Sequence, residues 1–320
     1  MSALNDSGVR WLLRSNDPSV RYFTLTDVLG VGPRSREVRA AREGIPRGPR
    51  LRALFSGQRA DGGFGVDWYK KWAGATWRLV SAVDLGVAPE SRGAHRAANY
   101  VLAHVPLRRS EPQQVEGRFR LHASVVGNPL GVCSRLGMAE DPRVRRIARS
   151  LARWQWPDGG WNCDSSKEAR HSSFYETLAT LWGLNEYFRA TKDAAVRAAV
   201  DRAAEFFLRH RLFRSCHGDR VIDPRWVQLH YPVYWHYDIL QALRVLERVG
   251  KLGDPRAGEA LDLVESKRAS DGAWHPEGRF WHRGPLNAAN TDVVDWGSHG
   301  PNEMITLNAL RVLSASGRLR

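Results

Sequence analysis

One short turn recurs along this chain, and it limits the fold more than any other feature of the sequence. Gln58-Arg59-Ala60-Asp61-Gly62-Gly63-Phe64-Gly65 returns as Gln155-Trp156-Pro157-Asp158-Gly159-Gly160-Trp161-Asn162, and in degraded form as Arg268-Ala269-Ser270-Asp271-Gly272-Ala273-Trp274. Self-similarity of this kind marks a repeating supersecondary unit. Within the unit each residue type has a local use. Asp can accept a hydrogen bond from the backbone two residues on, Gly supplies a positive φ, and the aromatic ring fills the gap to the next unit.

The flanks of each turn are helical. The segments Asp141 to Trp154 and Asp254 to Lys267 precede turns and open with Asp-Pro, an N-cap followed by the residue best suited to the first helical position. More apolar segments follow the turns and end at or near glycine: Lys71 to Gly86, Leu121 to Gly137, His171 to Phe188, Tyr234 to Gly250 and Asn302 to Gly317. In these, leucines and valines recur at helical spacing, as in Leu240, Leu243, Val245 and Leu246. An N-terminal pair, Leu4 to Leu13 and Ser19 to Leu29, gives about six polar and six apolar helices, with a short extra helix near Glu37 to Glu43. No β pattern of comparable length competes. Polar and apolar helices in alternation bury the apolar ones only by stacking, which predicts an all-α, (α/α)6 toroid over residues 1–320 with the apolar helices lining a central cavity. An open solenoid is the alternative.

Gln155 to Trp161, led by Arg149 and Leu151, resembles the aromatic repeat of squalene and other triterpene cyclases. The segment His171-Ser-Ser-Phe-Tyr-Glu-Thr-Leu-Ala-Thr-Leu-Trp-Gly-Leu184 looks like the inner helices of protein prenyltransferase β-subunits. Over about residues 48 to 316 the chain thus resembles the prenyltransferase and squalene-oxidase repeat superfamily. That resemblance implies a toroid whose cavity takes an isoprenoid or comparably apolar substrate. It does not bring the superfamily's chemistry with it, since function lives in the site and not in the fold. The Asp-X-Asp-Asp acid of the cyclases is absent, and Asp292 and Asp295 lack its spacing. The aspartate-rich magnesium motif of class I terpene synthases and the Asp-X-Cys zinc pair of protein prenyltransferases are absent too.

In such a ring the loops after the Asp-Gly turns and the starts of the apolar helices should converge on one mouth, which makes their polar residues the first suspects. Asp164, His236, Asp238 and Glu303 are the candidate acids and bases. His122, Cys163 and His171 are nitrogen and sulfur donors of the kind zinc prefers, leaving a fourth position for water or a thiol. The same set also reads as a buried small thiol and two capping or partly exposed histidines. Trp72, Tyr175, Trp226, Tyr231 and Tyr234, with Trp68 and Tyr69, would wall the mouth with aromatic rings able to face a carbocation, with Lys71 beside them as a further substrate-binding residue. Lys70, Lys71 and Arg78 could hold an anionic group such as a diphosphate. His275, His282 and His299 lie in a long Gly- and Pro-containing connection and read as surface residues.

Composition narrows the classes further. The formal charge is +14, and 42 of the 48 basic residues are Arg. These arginines are spread over polar helix faces, as at 143, 145, 146, 149 and 153, and no nucleic-acid motif accompanies them. Three cysteines, Cys133, Cys163 and Cys216, are too few and too scattered for a disulfide framework. With neither a spanning apolar run nor a signal peptide in view, the cytoplasm is the expected compartment. The functional expectations are an isoprenoid-handling enzyme of the prenyltransferase or cyclase kind, assisted by a zinc or by a His and Asp acid-base pair; alternatively, a toroid that binds an apolar ligand or peptide without chemistry, or a carbohydrate-active (α/α)6 enzyme working through paired carboxylates.

Overall fold

The computed structural model describes residues 3–106 and 111–319. Its helices alternate in pairs, as the repeat requires. The first pair is α1 (Ser7–Leu13) and α2 (Pro18–Phe23), which runs on through a π-helical turn, Thr24–Val28. An extra helix, α3 (Arg36–Gly44), precedes the second pair, α4 (Pro49–Phe55) and α5 (Ala75–Asp84). Then come α6 (Arg92–His104) with α7 (Ala123–Arg135), and α8 (Pro142–Arg153) with α9 (Phe174–Thr191). The last two pairs are α10 (Ala194–Arg209) with α11 (Ile239–Val249), and α12 (Gly258–Ser266) with α13 (Glu303–Ala315). A two-stranded hairpin, β1 (Gln114–Val115) and β2 (Arg118–Phe119), sits in the connection before α7.

The second helix of each pair is the dry one. In α13, ten successive residues from Met304 to Leu313 are buried, whereas α8 buries only Val144, Ile147, Ala148 and Leu151. From α5 to α13 neighbouring inner helices touch in sequence, α13 returns to pack on α1, on α2 and on its π-helical extension, and the Phe23 ring at the end of α2 lies against Gly86 just after α5. The ring is therefore closed, and the open-solenoid alternative falls away.

The repeated turn explains both spacing and closure. In all three copies the residue after the leading Gln or Arg folds back onto the turn: Arg59 N donates to Gly63 O, Trp156 N to Gly160 O and Ala269 N to Ala273 O, at 2.8–2.9 Å. Gln58 and Gln155 each use one amide nitrogen twice, on the turn (Gly62 O, Gly159 O) and on the next outer helix (Gly93 O in α6, Ala199 O in α10). The turn glycine must lie against that helix. A Cβ on Gly62 would stand 2.3 Å from Arg96 O, and one on Gly159 2.4 Å from Arg202 O. The third copy does the same to the first helix of the chain. Arg268, in place of Gln, donates to Gly272 O and to the Asp6 carboxylate that caps α1, while Gly8 of α1 approaches Gly272 O. The degraded copy is the one that closes the ring.

The aromatic at the end of each turn is a structural plug in two copies. The Trp161 indole donates to Leu151 O and that of Trp274 to Val264 O, and both rings are fully buried.

Three inner helices begin later than the sequence suggests: at Ala75, Phe174 and Ile239 instead of Lys71, His171 and Tyr234. In the last two the skipped residues lie before a capping residue, Ser173 and Asp238 each accepting from the backbone three residues on. Among the described residues, no helix is long and apolar enough to cross a membrane.

Candidate functional site

A cavity of about 260 Å³ lies at the centre of the ring, and all six inner helices contribute to its wall. One end is aromatic: Tyr175 and Trp182 from α9, Phe23 from α2, and Tyr231, Tyr234, Trp235 and His236 from the loop before α11. The other end lies among the C-terminal halves of the inner helices and is charged, with Asp27, Asp84, Arg135, Arg244, Arg248 and Arg311. Cations there offset the partial negative charge of converging helix C-termini. They are also tied to carboxylates: Arg311 to Asp27 at 2.8 Å, Arg248 to the buried Glu186 at 2.5 Å, and Arg244 to Glu247 at 2.9 Å. Asp84 accepts from the Tyr231 hydroxyl at 2.7 Å.

Several polar atoms on this wall have no partner. Asn128 Nδ2, Trp235 Nε1, His236 Nδ1, Gln241 Nε2 and Arg311 Nε are buried and unbonded within the protein. Leaving such groups unpaired costs about 1–3 kcal/mol each, so a guest that accepts hydrogen bonds is favoured here.

The sequence points to the opposite mouth, where the Asp-Gly turns gather, and the structure shows that mouth filled. Trp72 stacks on Tyr234 at 4.1 Å and 4°, and His236 is sandwiched between Trp235 (4.1 Å) and Phe280 (3.6 Å). The long connection after Trp274 folds across this face. There the Trp72 N–H donates to Thr291 O, and the Trp72 indole donates to Phe280 O. Trp281 in turn donates to Tyr231 O. His282 and His299 of that connection are exposed, and His275 pairs with Asp271 at 3.2 Å.

The candidate acids and bases are consequently scattered. His236 reaches the cavity wall, but burial, reinforced by His230, pushes its imidazole down to about 3, so it is neutral at physiological pH. Asp238 is fully buried away from it, bonded to the His230 ring at 3.0 Å and capping α11. Asp164 is exposed and accepts from Ser166 N in its own loop. Glu303 pairs with Arg50 at 2.5 Å. Among the proposed wall residues, Tyr175, Tyr231 and Tyr234 line the cavity, while Trp226 packs on Phe174 and Tyr237 and donates to the Tyr175 hydroxyl. Lys71 lies over the Trp235 ring at 4.7 Å. Arg78 is not available to an anion: it is buried and donates to Ala73 O, Leu54 O and Ser56 O.

The expected metal donors come together in part. His122 and Cys163 share a site with Glu176, their ligand atoms all within 4.8 Å of one another. His171 is exposed and outside that group, and its carbonyl accepts from the Asn162 amide. Glu176 escapes a sequence reading because Ser173-x-x-Glu176 reads as a capping box. In the structure only half of that motif forms: Ser173 Oγ accepts from Glu176 N, but the Ser173 N–H bonds Trp161 O. The freed carboxylate accepts from Ser124 N at the start of α7 instead, at 2.7 Å. Burial and the Glu176 carboxylate push the Cys163 thiol up to about 11, and the same carboxylate raises the His122 imidazole. The charged cavity residues were equally hidden. Their signal is a polar side chain in an apolar inner helix, such as Asn128 in α7 or Arg311 in α13.

No protein-family model and no curated protein matches this chain. Among solved structures, it is similar over 99% of its length to a variant of the type II terpene cyclase MstE from Scytonema in complex with its substrate geranylgeranyl dihydroxybenzoate, covering 97% of that chain at 14% identity and TM-score 0.47. It is similar over the same share to a protein from Actinoplanes, covering 98% at 18% identity and TM-score 0.44. A further variant of the Scytonema cyclase, bound to its product merosterolic acid A, is covered to 97% at 16% identity and TM-score 0.45. A likeness this distant says nothing of substrate or chemistry.

Proposed function

We propose that this protein is a terpene cyclase-like or prenyl-transferring enzyme that holds a short isoprenoid, or a comparably apolar group bearing a hydrogen-bond acceptor, in the central cavity. The observation that carries the reading is the cavity itself: a wall to which every inner helix contributes, aromatic at the end formed by α2, α9 and the loop before α11, with five buried polar atoms awaiting partners. Aromatic faces suit an apolar chain and stabilise a passing carbocation. The partnerless groups at Asn128, Gln241 and Arg311 suit a carbonyl, carboxylate or hydroxyl on the guest. A cavity of about 260 Å³ supports a compact apolar guest. Asp84, bonded to Tyr231 and facing the cavity, is the group best placed to give or take a proton there.

A second reading, a ring that binds such a guest without chemistry, is favoured by one observation: Asp27 and Asp84, the cavity carboxylates, are both already engaged, with Arg311 and Tyr231. The same engagement speaks against the paired free carboxylates of a carbohydrate-active site.

Two variants separate these readings. Ala179 lines the cavity on α9, and Ala179→Trp should fill it while leaving the ring folded. We expect geranyl and farnesyl alcohols and their diphosphates to raise the Tm of the wild type and not of Ala179→Trp. No shift in the wild type with any of these probes would overturn the proposal. Asp84→Asn should retain the Tm shift and lose turnover; a wild type that binds a probe and returns it unchanged establishes the non-catalytic reading.

A further inference from the structure

We infer that His122, Cys163 and Glu176 bind one zinc ion on the turn face of the ring, with a fourth coordination position open to solvent. The site stands apart from the cavity, since none of the three residues lines it.

The donor set is the first argument. An imidazole, a thiolate and a carboxylate are a borderline-soft mixture that suits zinc and disfavours magnesium or calcium, which prefer all-oxygen shells. A thiolate and a carboxylate also balance the two charges of the ion, with the imidazole neutral.

Geometry is the second. The His122 Nδ1 to Glu176 Oε1 separation is 3.4 Å. That is long for a charge-assisted hydrogen bond, which closes to about 2.7–2.9 Å. It is close to the roughly 3.3 Å that separates two ligand atoms held at ~2.0–2.1 Å in a tetrahedron. The third atom, Cys163 Sγ, lies within 4.8 Å of both.

The site is also built. His122 is the N-cap residue of α7 and Glu176 lies in the first turn of α9, so two adjacent inner helices fix two ligands. Cys163 follows the central Asp-Gly-Gly-Trp turn, and its loop is tied to the segment leading into His122 by Leu121 N donating to Asn162 O at 3.2 Å and by the Arg120–Asn162 bridge. The Ser124 N–H holds Glu176 Oε2 at 2.7 Å, which orients the other carboxylate oxygen toward His122 and is the kind of outer contact that fixes a metal ligand. The His122 side chain is 72% exposed. Three protein ligands with one face in water is the pattern of a zinc ion that keeps an exchangeable water, not of a closed structural site.

The test uses the full chain. Protein purified without chelators should carry about one zinc per chain by inductively coupled plasma mass spectrometry. After stripping, titrated cobalt(II) should give tetrahedral visible bands together with a near-ultraviolet thiolate-to-cobalt band. Cys163→Ser should abolish the thiolate band, Glu176→Gln should weaken metal affinity by at least about 10-fold, and His171→Ala and Cys216→Ser should leave both unchanged. A measurement free of variants accompanies these: zinc should protect Cys163, and not the exposed Cys216, from alkylation by iodoacetamide. A folded wild type that takes up neither zinc nor cobalt, a thiolate band that survives Cys163→Ser, or equal labelling of Cys163 with and without zinc would overturn the inference. Ligand binding in the cavity is read separately by Tm shift, so failure here leaves that proposal standing.

Discussion

Asp292 shows what burial does to a single residue in this ring. Its carboxylate is 2% exposed, accepts from Val294 N at 2.9 Å and from the Trp296 indole at 2.8 Å, and burial raises its pKa to about 6. Below the ordinary value of 3.8 the group is neutral in both folded and unfolded chains. Between about 4 and 6 the unfolded chain has lost the proton and the folded one keeps it, so stability falls as pH rises through that window and levels off above it. The cost at neutral pH approaches about 3 kcal/mol, at ~1.4 kcal/mol per unit. Asp292→Asn gives up one acceptor at every pH and removes the titration. The stability of the wild type minus that of Asp292→Asn, from urea melts, should therefore drop by up to about 3 kcal/mol between pH 4 and pH 6. Parallel pH profiles would contradict the assignment. Nothing in the sequence marks Asp292 for this, because its shift comes from a connection that folds over the ring, and only tertiary packing makes that connection dry.

Among the elements, α7 and α9 pack most closely, and glycines set the distance. A Cβ on Gly183 would stand 2.2 Å from Gly127 O, and one on Gly131 2.5 Å from the Trp182 ring. This approach brings Asn128, Tyr175, Leu178 and Trp182 to one cavity wall, so the width of the cavity depends on it. Gly183→Ala should force the helices apart and cost about 3 kcal/mol or more, as backbone-limited overpacking does. Gly258→Ala, in α12 where an added Cβ meets nothing within 4 Å, should be neutral or slightly stabilising. Chemical denaturation of the two variants checks this, and equal effects would show that the close approach does not matter. The alternation of wet and dry helices was legible from apolar spacing, because that spacing is local. The helix starts at Phe174 and Ile239 were less so, since the capping residues Ser173 and Asp238 that set them compete with a helical pattern upstream.

For the whole molecule, the repeat foretold the ring but misplaced its open end. Converging turns looked like a mouth; Trp72, Tyr234, His236 and Phe280 fill it, and these contacts join segments too distant in sequence for any spacing rule to pair. Of the metal donors, His122 and Cys163 were visible by residue type, while Glu176 was masked by a capping pattern it only half obeys. Closure itself rests on a seam between the last turn and the first helix. Gly8→Ala would place a Cβ 2.4 Å from Gly272 O, and Arg268→Ala would remove the bonds to Gly272 O and Asp6. Taken singly, the first should cost about 2–3 kcal/mol and the second about 1 kcal/mol. Because both loosen the same seam, the double variant should cost less than the sum, with a coupling of about 0.5–1 kcal/mol. An open stack of hairpins would tolerate each change with little loss, since its ends need not meet. Strict additivity in the double-mutant cycle would therefore mean that Gly8 and Arg268 do not share one closing contact.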